Sequence, residues 1–248
     1  MSTISETGHA KNVVKFDELI LSIQNFGTIY NPSKENMKVP ALQVLSLNAK
    51  NAINAVSIAH ANYGSAVSAR ELAFKPLSGL ATRVMNAVIA TDSALRVDDH
   101  VRSLEFKIHG TRITAKMKQE EKDALAAEGK VVKEISTSQM SYDSRVENFD
   151  KLIKVLATIS VYNPNENELK IASLTSLCTT LRAKNMAVIN ALIILKNARV
   201  VRNDVLSKPF TGLVDIALDT KAYVKSLFSI TSPQYKLISK ISFKPVLV

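Results

Sequence analysis

The stretch YNPNENELKIASLTSLCTTLRAKNMAVINALIILKNARVVRNDVLSKPF, residues 162–210, decides the fold. Two seven-residue series run through it, Ile171, Cys178, Asn185, Leu192 and Leu174, Leu181, Val188, Leu195, and together they make one helical seam. The spacing predicts a helix approaching 35 to 40 residues, or roughly 55 Å at about 1.5 Å per residue. Tyr162-Asn163-Pro164 closes whatever precedes it, because the residue before a proline is pushed out of the α region. Asn165 and Glu168 have the spacing of a capping box, and Pro209 stands where a following helix would place its first residue.

The same string occurs earlier in the chain. Tyr30-Asn31-Pro32 lies 132 residues before Tyr162-Asn163-Pro164, and at that offset Lys38, Leu42, Leu45, Ala55, Val56 and Ala59 find identical partners. Val39, Ser46, Ile53, His60, Val67 and Leu42, Ala49, Val56, Tyr63 form the matching seam, with Ser33 as a weaker cap. Upstream, Phe16-Asp17-Glu18-Leu19-Ile20 matches Phe149-Asp150-Lys151-Leu152-Ile153. Downstream, Lys75-Pro76 matches Lys208-Pro209, Gly79-Leu80 matches Gly212-Leu213, and Phe106-Lys107 matches Phe243-Lys244. A colinear series of this kind is an internal duplication, and a period of this sort sets the whole architecture.

Each copy reads as a first helix (Phe16, Leu19, Ile20, Ile23; Phe149, Leu152, Ile153, Leu156), the long helix, and a third helix. The third carries Leu77, Leu80, Val84, Val88 in one copy and Phe210, Leu213, Ile216, Ala217, Val224 in the other, before a short last segment. The fold expected is all-α: two tandem repeats packed as an elongated pseudo-two-fold bundle. Its parts are a polar segment 1–15, repeat one at 16–108, a charged connector at 109–148 and repeat two at 149–248. Alternation at Lys130–Ile135, together with Phe106–Ile108 and Phe243–Val246, reads as a minor β element.

Composition agrees. The 248 residues are 46% hydrophobic, enough for a core, while seven Gly and seven Pro are too few for the turns of a sandwich or barrel. The longest apolar run, Met186 to Leu195, is about half of the roughly 20 residues a membrane span needs, so no transmembrane helix is expected. The polar start lacks a signal-peptide pattern and one Cys builds no disulfide framework, which makes the cytoplasm the expected compartment.

Chemistry is sparse. His9, His60, His100 and His109 have no metal-ligand spacing, and the seven glycines trace no phosphate loop. Cys178 reads as a small buried side chain where the other copy has Ser46, and His60 as a partly buried seam histidine. Asp98-Asp99-His100 reads as a cap or turn. Gly79 and Gly212 read as sites of close helix packing. Glu35, Glu71, Glu166, Glu168 and Asp204 are placed on long helices, as carboxylate ligands of a di-metal site would be, yet such a site needs two Glu-x-x-His pairs and the sequence has one, Glu6-Thr7-Gly8-His9. The sequence implies no catalytic residue and no cofactor.

Charge is more informative. The total is +10, of which repeat one holds +1 and the connector none, whereas 149–248, with fourteen basic and six acidic residues, holds +8. Lys196, Arg199 and Arg202 follow at spacing three, Lys221 and Lys225 at spacing four, and Lys236, Lys240 and Lys244 again at four. These eight are the candidate anion-binding residues, for nucleic acid bound without sequence preference or for an anionic surface; the bland reading is a solvated face.

In its Tyr-Asn-Pro turns, its Lys-Pro-x-x-Gly-Leu helix starts and the connector Ser138-Gln139-Met140-Ser141-Tyr142-Asp143, the chain resembles a family of uncharacterised, internally duplicated helical proteins found in Bacteroidota. That resemblance spans nearly the whole chain and implies no activity. The functional expectation is a non-enzymatic structural or interaction scaffold with a protein partner or self-association. An anion-binding protein is the alternative, and a carboxylate-metal helical enzyme a more distant one.

Overall fold

The computed structural model describes residues 6–91, 95–109 and 141–243. Helix α1 spans Glu6–Gln24, α2 Val39–Phe74, α3 Leu77–Ile89, α4 Leu95–His109, α5 Tyr142–Leu156, α6 Ile171–Ser207, α7 Leu213–Leu227 and α8 Pro233–Ser239. Among the described residues there is no strand. Phe106, Lys107 and Ile108, expected as β, lie in α4, because Val101, Leu104 and Ile108 at helical spacing are all buried. The expected strand at 130–135 and Lys244 onward lie outside the described residues.

The long helices α2 and α6, of 36 and 37 residues, match the length read from the seams. Their starts differ from the expectation. Each is preceded by a 3-10 turn, Glu35–Met37 or Asn167–Leu169, and no side chain caps it. A buried tyrosine organises each start instead: Tyr30 Oη donates to the Met37 carbonyl at 2.7 Å, and Tyr162 Oη to the Leu169 carbonyl at 2.8 Å. The chain is thus turned once before the α-helix begins. Glu168, expected to cap, pairs with Arg83 of α3.

His60 is exposed and Ala59 is buried in its place. Ala59 continues the position of the buried Ala52, seven residues earlier, so the buried side of α2 runs through Ala52 and Ala59 beside Leu42, Ala49 and Val56 rather than through His60.

Two compact units form. The first comprises Met1–Gly64 and Ala191–Val248, the second Ser65–Asn190. They are not the segments 16–108 and 149–248; each takes helices from both. In the first unit Val13, Phe16, Leu19, Ile20 and Ile23 of α1 pack with Leu213, Ile216, Ala217 and Val224 of α7, with Ile238 of α8, and with Leu42 and Ala49 of α2. In the second, Phe149, Leu152, Ile153 and Leu156 of α5 pack with Leu77, Ala81, Val84 and Val88 of α3, with Val101, Leu104 and Ile108 of α4, and with Leu174, Cys178 and Leu181 of α6. Fully burying each Leu, Ile or Phe contributes about 1.5–3 kcal/mol. Both first helices begin earlier than the apolar pattern suggested. His9, Asn12 and Val13 of the nominally polar segment are buried within α1, and α5 starts at Tyr142, where Ser141 Oγ accepts from Ser144 N at 3.1 Å.

The turn into α7 departs from its counterpart. Pro76 caps α3 directly, but α7 begins only at Leu213, so Phe210 is not a helix residue: it is 80% exposed with φ +65°. Gly212 N donates to Lys208 O at 2.7 Å, and a Cβ on Gly212 would lie 2.6 Å from Lys208 N. Backbone approach, rather than helix packing, requires this glycine. Gly79 has open space where a Cβ would stand, so close packing does not explain it.

Two outcomes follow from this geometry. Phe210→Asn, which suits left-handed backbone and removes no buried contact, raises stability by about 1 kcal/mol in denaturant unfolding. Burial pushes the Tyr30 and Tyr162 hydroxyls up from 10.0 to about 12. In the unfolded chain they ionise near pH 10 while the folded chain keeps them protonated, so their contribution is intact below pH 10 and is lost as pH rises toward 12. A Tyr30→Phe/Tyr162→Phe double variant, less stable at neutral pH by the two lost hydrogen bonds, shows a shallower loss of stability over that interval than the parent chain.

Candidate functional site

Lysines and arginines can form an anion site only if their charged ends are free. Lys196 and Arg199 of α6, Lys225 of α7, Lys236 of α8 and Lys240 just after it are exposed. Arg202 is not: it is 6% exposed, and its Nε and Nη2 donate to Asn203 Oδ1 at 3.2 and 2.9 Å. Lys221 Nζ donates to the Ile241 and Ser239 carbonyls at 2.6 and 3.2 Å, and Lys15 Nζ donates to the Ser242 carbonyl at 2.7 Å. Burial, and then the neighbouring Lys15 ammonium, hold Lys221 below the usual lysine value. Two lysines therefore bind the backbone after α8. Lys244 lies outside the described residues.

The carboxylates serve structural ends. Glu35, Glu166 and Glu168 lie ahead of the long helices, not on them, and Glu35 pairs with Lys38 at 2.5 Å. Asp98, Asp99 and His100 lie inside α4, with Asp98 in its first turn, where the helix dipole favours an anion. Among the described residues no group of three or more His, Cys, Asp or Glu is placed to hold a metal ion.

Cys178 is buried, as its place on the seam suggested. Its Sγ lies 4.0 Å from Asp150 Oδ1, and burial pushes the thiol up. Asp150 also pairs with Lys154 at 2.7 Å and Arg182 at 3.2 Å; the Lys154 hydrogen bond is the main reason its carboxyl lies below the usual value. The first unit holds a similar group: Asp17 accepts from Ser46 Oγ and pairs with Lys50 at 2.8 Å.

Two clusters were not readable from the sequence. Thr82 Oγ1 lies 2.9 Å from His109 Nε2 and 3.0 Å from Glu105 Oε1, while the same Nε2 lies 3.1 Å from Glu105. A hydroxyl-imidazole-carboxylate relay needs the two ring nitrogens on different partners. Here one nitrogen meets both, so the cluster joins α3 to α4 and activates no nucleophile.

The second cluster is a ladder. The Arg70 guanidinium sits 3.9 Å from the Tyr142 ring centroid, Tyr142 meets Phe74 edge-on at 4.8 Å, and the Arg145 guanidinium lies 5.6 Å from Phe74. Arg145 Nε also donates to the Ile108 carbonyl at the end of α4 at 3.2 Å. Beside the ladder is a hollow of about 550 Å³ lined by Ser68, Glu71, Lys75, Tyr142 and Arg145. Of its cations, Arg145 is already engaged with the Ile108 carbonyl and the Phe74 ring.

No protein-family model, curated protein or solved structure matches the chain.

What the described surface offers most plainly is apolar. On α6, opposite the buried Val188, Leu195 and Leu206, the residues Met186, Ile189, Ile193, Ile194, Val200 and Val201 are 45–60% exposed. On α2, Val44, Leu47 and Ile58 are 54–57% exposed. Single exposed apolar residues are ordinary, whereas these recur at helical spacing along one face of each long helix. By length and composition α6 is also apolar enough to cross a membrane, which the sequence reading did not expect. A buried core helix passes the same test, and α6 carries a buried seam along its other side.

Since Cys178 is the single thiol and is buried, the native protein reacts with a disulfide reagent such as DTNB at least about a hundredfold more slowly than the denatured chain. Equal rates would place the thiol at the surface.

Proposed function

We propose that this protein is a non-enzymatic interaction scaffold built from two copies of one helical unit. Several correspondences support the duplication. Phe16, Leu19 and Ile23 and their counterparts Phe149, Leu152 and Leu156 are all fully buried. Tyr30 and Tyr162 make the same hydrogen bond to a carbonyl seven residues on. Asp17 and Asp150 each engage the residue at the matching seam position, Ser46 or Cys178. Each compact unit further joins the first helix of one copy to the third helix of the other.

The observation that carries the scaffold reading is the exposed apolar face of each long helix. Side chains such as Ile58 and Ile193, 54% and 50% exposed, gain stabilisation of about 25 cal/mol per Å² of apolar surface only when something covers them. The reading for anions keeps Lys196, Arg199, Lys225, Lys236 and Lys240, but Arg202 and Lys221 have structural partners.

A photo-crosslinking amino acid placed at Ile58 or Ile193 in cells that naturally make the chain captures a discrete protein adduct, while the same group at the exposed Lys151 of α5 does not. Equal or absent capture at all three positions overturns the scaffold reading.

A further inference from the structure

Helices α3 and α7 can be laid on one another from their first residues. Leu77, Ala81, Val84 and Val88 of α3 then coincide with Leu213, Ala217, Thr220 and Val224 of α7, and all eight are fully buried. Beside each helix lies a buried tyrosine, Tyr30 by α7 and Tyr162 by α3, whose hydroxyl donates to a carbonyl seven residues on. An ion pair leaves each helix from the same position: Asp219 meets Lys34 at 2.6 Å in the first unit, and Arg83 meets Glu168 at 2.5 Å in the second. The two arrangements are thus alike within their own units.

They part where Tyr223 of α7 has Ala87 as its counterpart in α3. The Tyr223 ring stands edge-on to Tyr30 with centroids 5.4 Å apart. Alanine supplies no ring beside Tyr162, and a hollow of about 560 Å³ lies there, within the size range of small-molecule sites. Ala87 and the buried Tyr162 and Leu169 give it apolar walls, while the exposed Asn86, Asn163 and Glu166 bring polar groups to its edge. All of these belong to the second unit. The first unit shows what such walls accept, an aromatic ring set edge-on to the tyrosine.

Charge at the edge selects what that ring carries. Arg83 is committed to Glu168, and among the described residues no cation pairs with Glu166. The Glu166 carboxylate is close enough to add to burial in raising the Tyr162 hydroxyl. An ammonium carried on the ring meets this carboxylate as its counter-ion, whereas a ring carrying a carboxylate meets like charge.

We infer that the hollow between α3 and the Tyr162-Asn163-Pro164 turn is a binding site for a small aryl-alkyl ammonium compound, its ring in the place that Tyr223 takes in the first unit and its cation on Glu166. The site is independent of the scaffold reading.

The test titrates the full chain with three probes that share one ring, tyramine as the cation, 4-ethylphenol as the neutral form and 3-(4-hydroxyphenyl)propanoate as the anion, followed by calorimetry and saturation-transfer NMR. Tyramine binds with a Kd of about 1 mM or tighter, 4-ethylphenol at least about fivefold more weakly, and the anion not measurably. Ala87→Tyr supplies the ring from within: the variant melts about 2–4 °C higher and loses tyramine at least about tenfold. Glu166→Gln, at an exposed position, removes the advantage of tyramine over 4-ethylphenol and leaves the melting temperature unchanged. The inference is overturned if no probe binds, if the anion binds as well as the cation, or if folded Ala87→Tyr binds tyramine as the parent does. Should Ala87→Tyr not fold, Glu166→Gln decides: a preference for tyramine that survives this change overturns the site, and its loss upholds it.

Discussion

The rest of the structure depends on how a short amphipathic helix covers its apolar side. Helix α1 carries Phe16, Leu19, Ile20 and Ile23 on one face, and the residues that follow it in sequence do not supply enough surface to bury them. The cover comes from α7 and α8, about two hundred residues later. Helix α5 carries the same face, and its cover comes from α3 and α4, which precede it. Neither the segment 16–108 nor the segment 149–248 therefore contains all the residues that bury its own first helix. The long helices must run continuously because the residues that complete each core lie at both of their ends. Helices α2 and α6 accordingly have buried residues in both compact units.

How much of this was legible depends on the length over which a pattern repeats. Helices α2 and α6 could be read because their seams persist for many turns, so even with His60 placed on the wrong side the helix itself was evident. Their starts could not be read. Glu168 three residues after Asn165 has the spelling of a cap, but the tyrosine hydroxyl seven residues before the buried Leu169 sets the turn. Phe106-Lys107-Ile108 was too short a window to separate strand from helix, and only Val101 and Leu104 upstream, buried on the same face, reveal the period. The β reading of 106–108 failed for that reason.

The candidate surface was less legible still. Three cations at spacing three look alike in a sequence whether they face water or not, and Arg202 differs from Arg199 only because the helix turns it toward the core. Lys221 looks like a surface charge until Ile241 brings its carbonyl within reach. Glu105 and His109 are a pair at helical spacing of four, but Thr82, which joins them, lies 23 positions before Glu105. The apolar face of α6 was in plain view as the run Met186 to Leu195, but a sequence does not say which members of such a run are covered. The structure buries Val188 and Leu195 and leaves Met186, Ile189, Ile193 and Ile194 uncovered.

The bond from Lys15 to Ser242 spans 227 positions of sequence. During synthesis the chain emerges from its amino end, so residues 65–190 are all available to fold while α7 and α8 are still unmade. The first unit has to wait. Until then α1 stands with its phenylalanine and leucines uncovered, a segment that resembles the client of a chaperone more than a finished domain. A ribosome that stalls after residue 200 releases a product with one completed core and one exposed apolar helix. The cell's quality control would recognise such a product by helix α1, although the fault lies beyond residue 200.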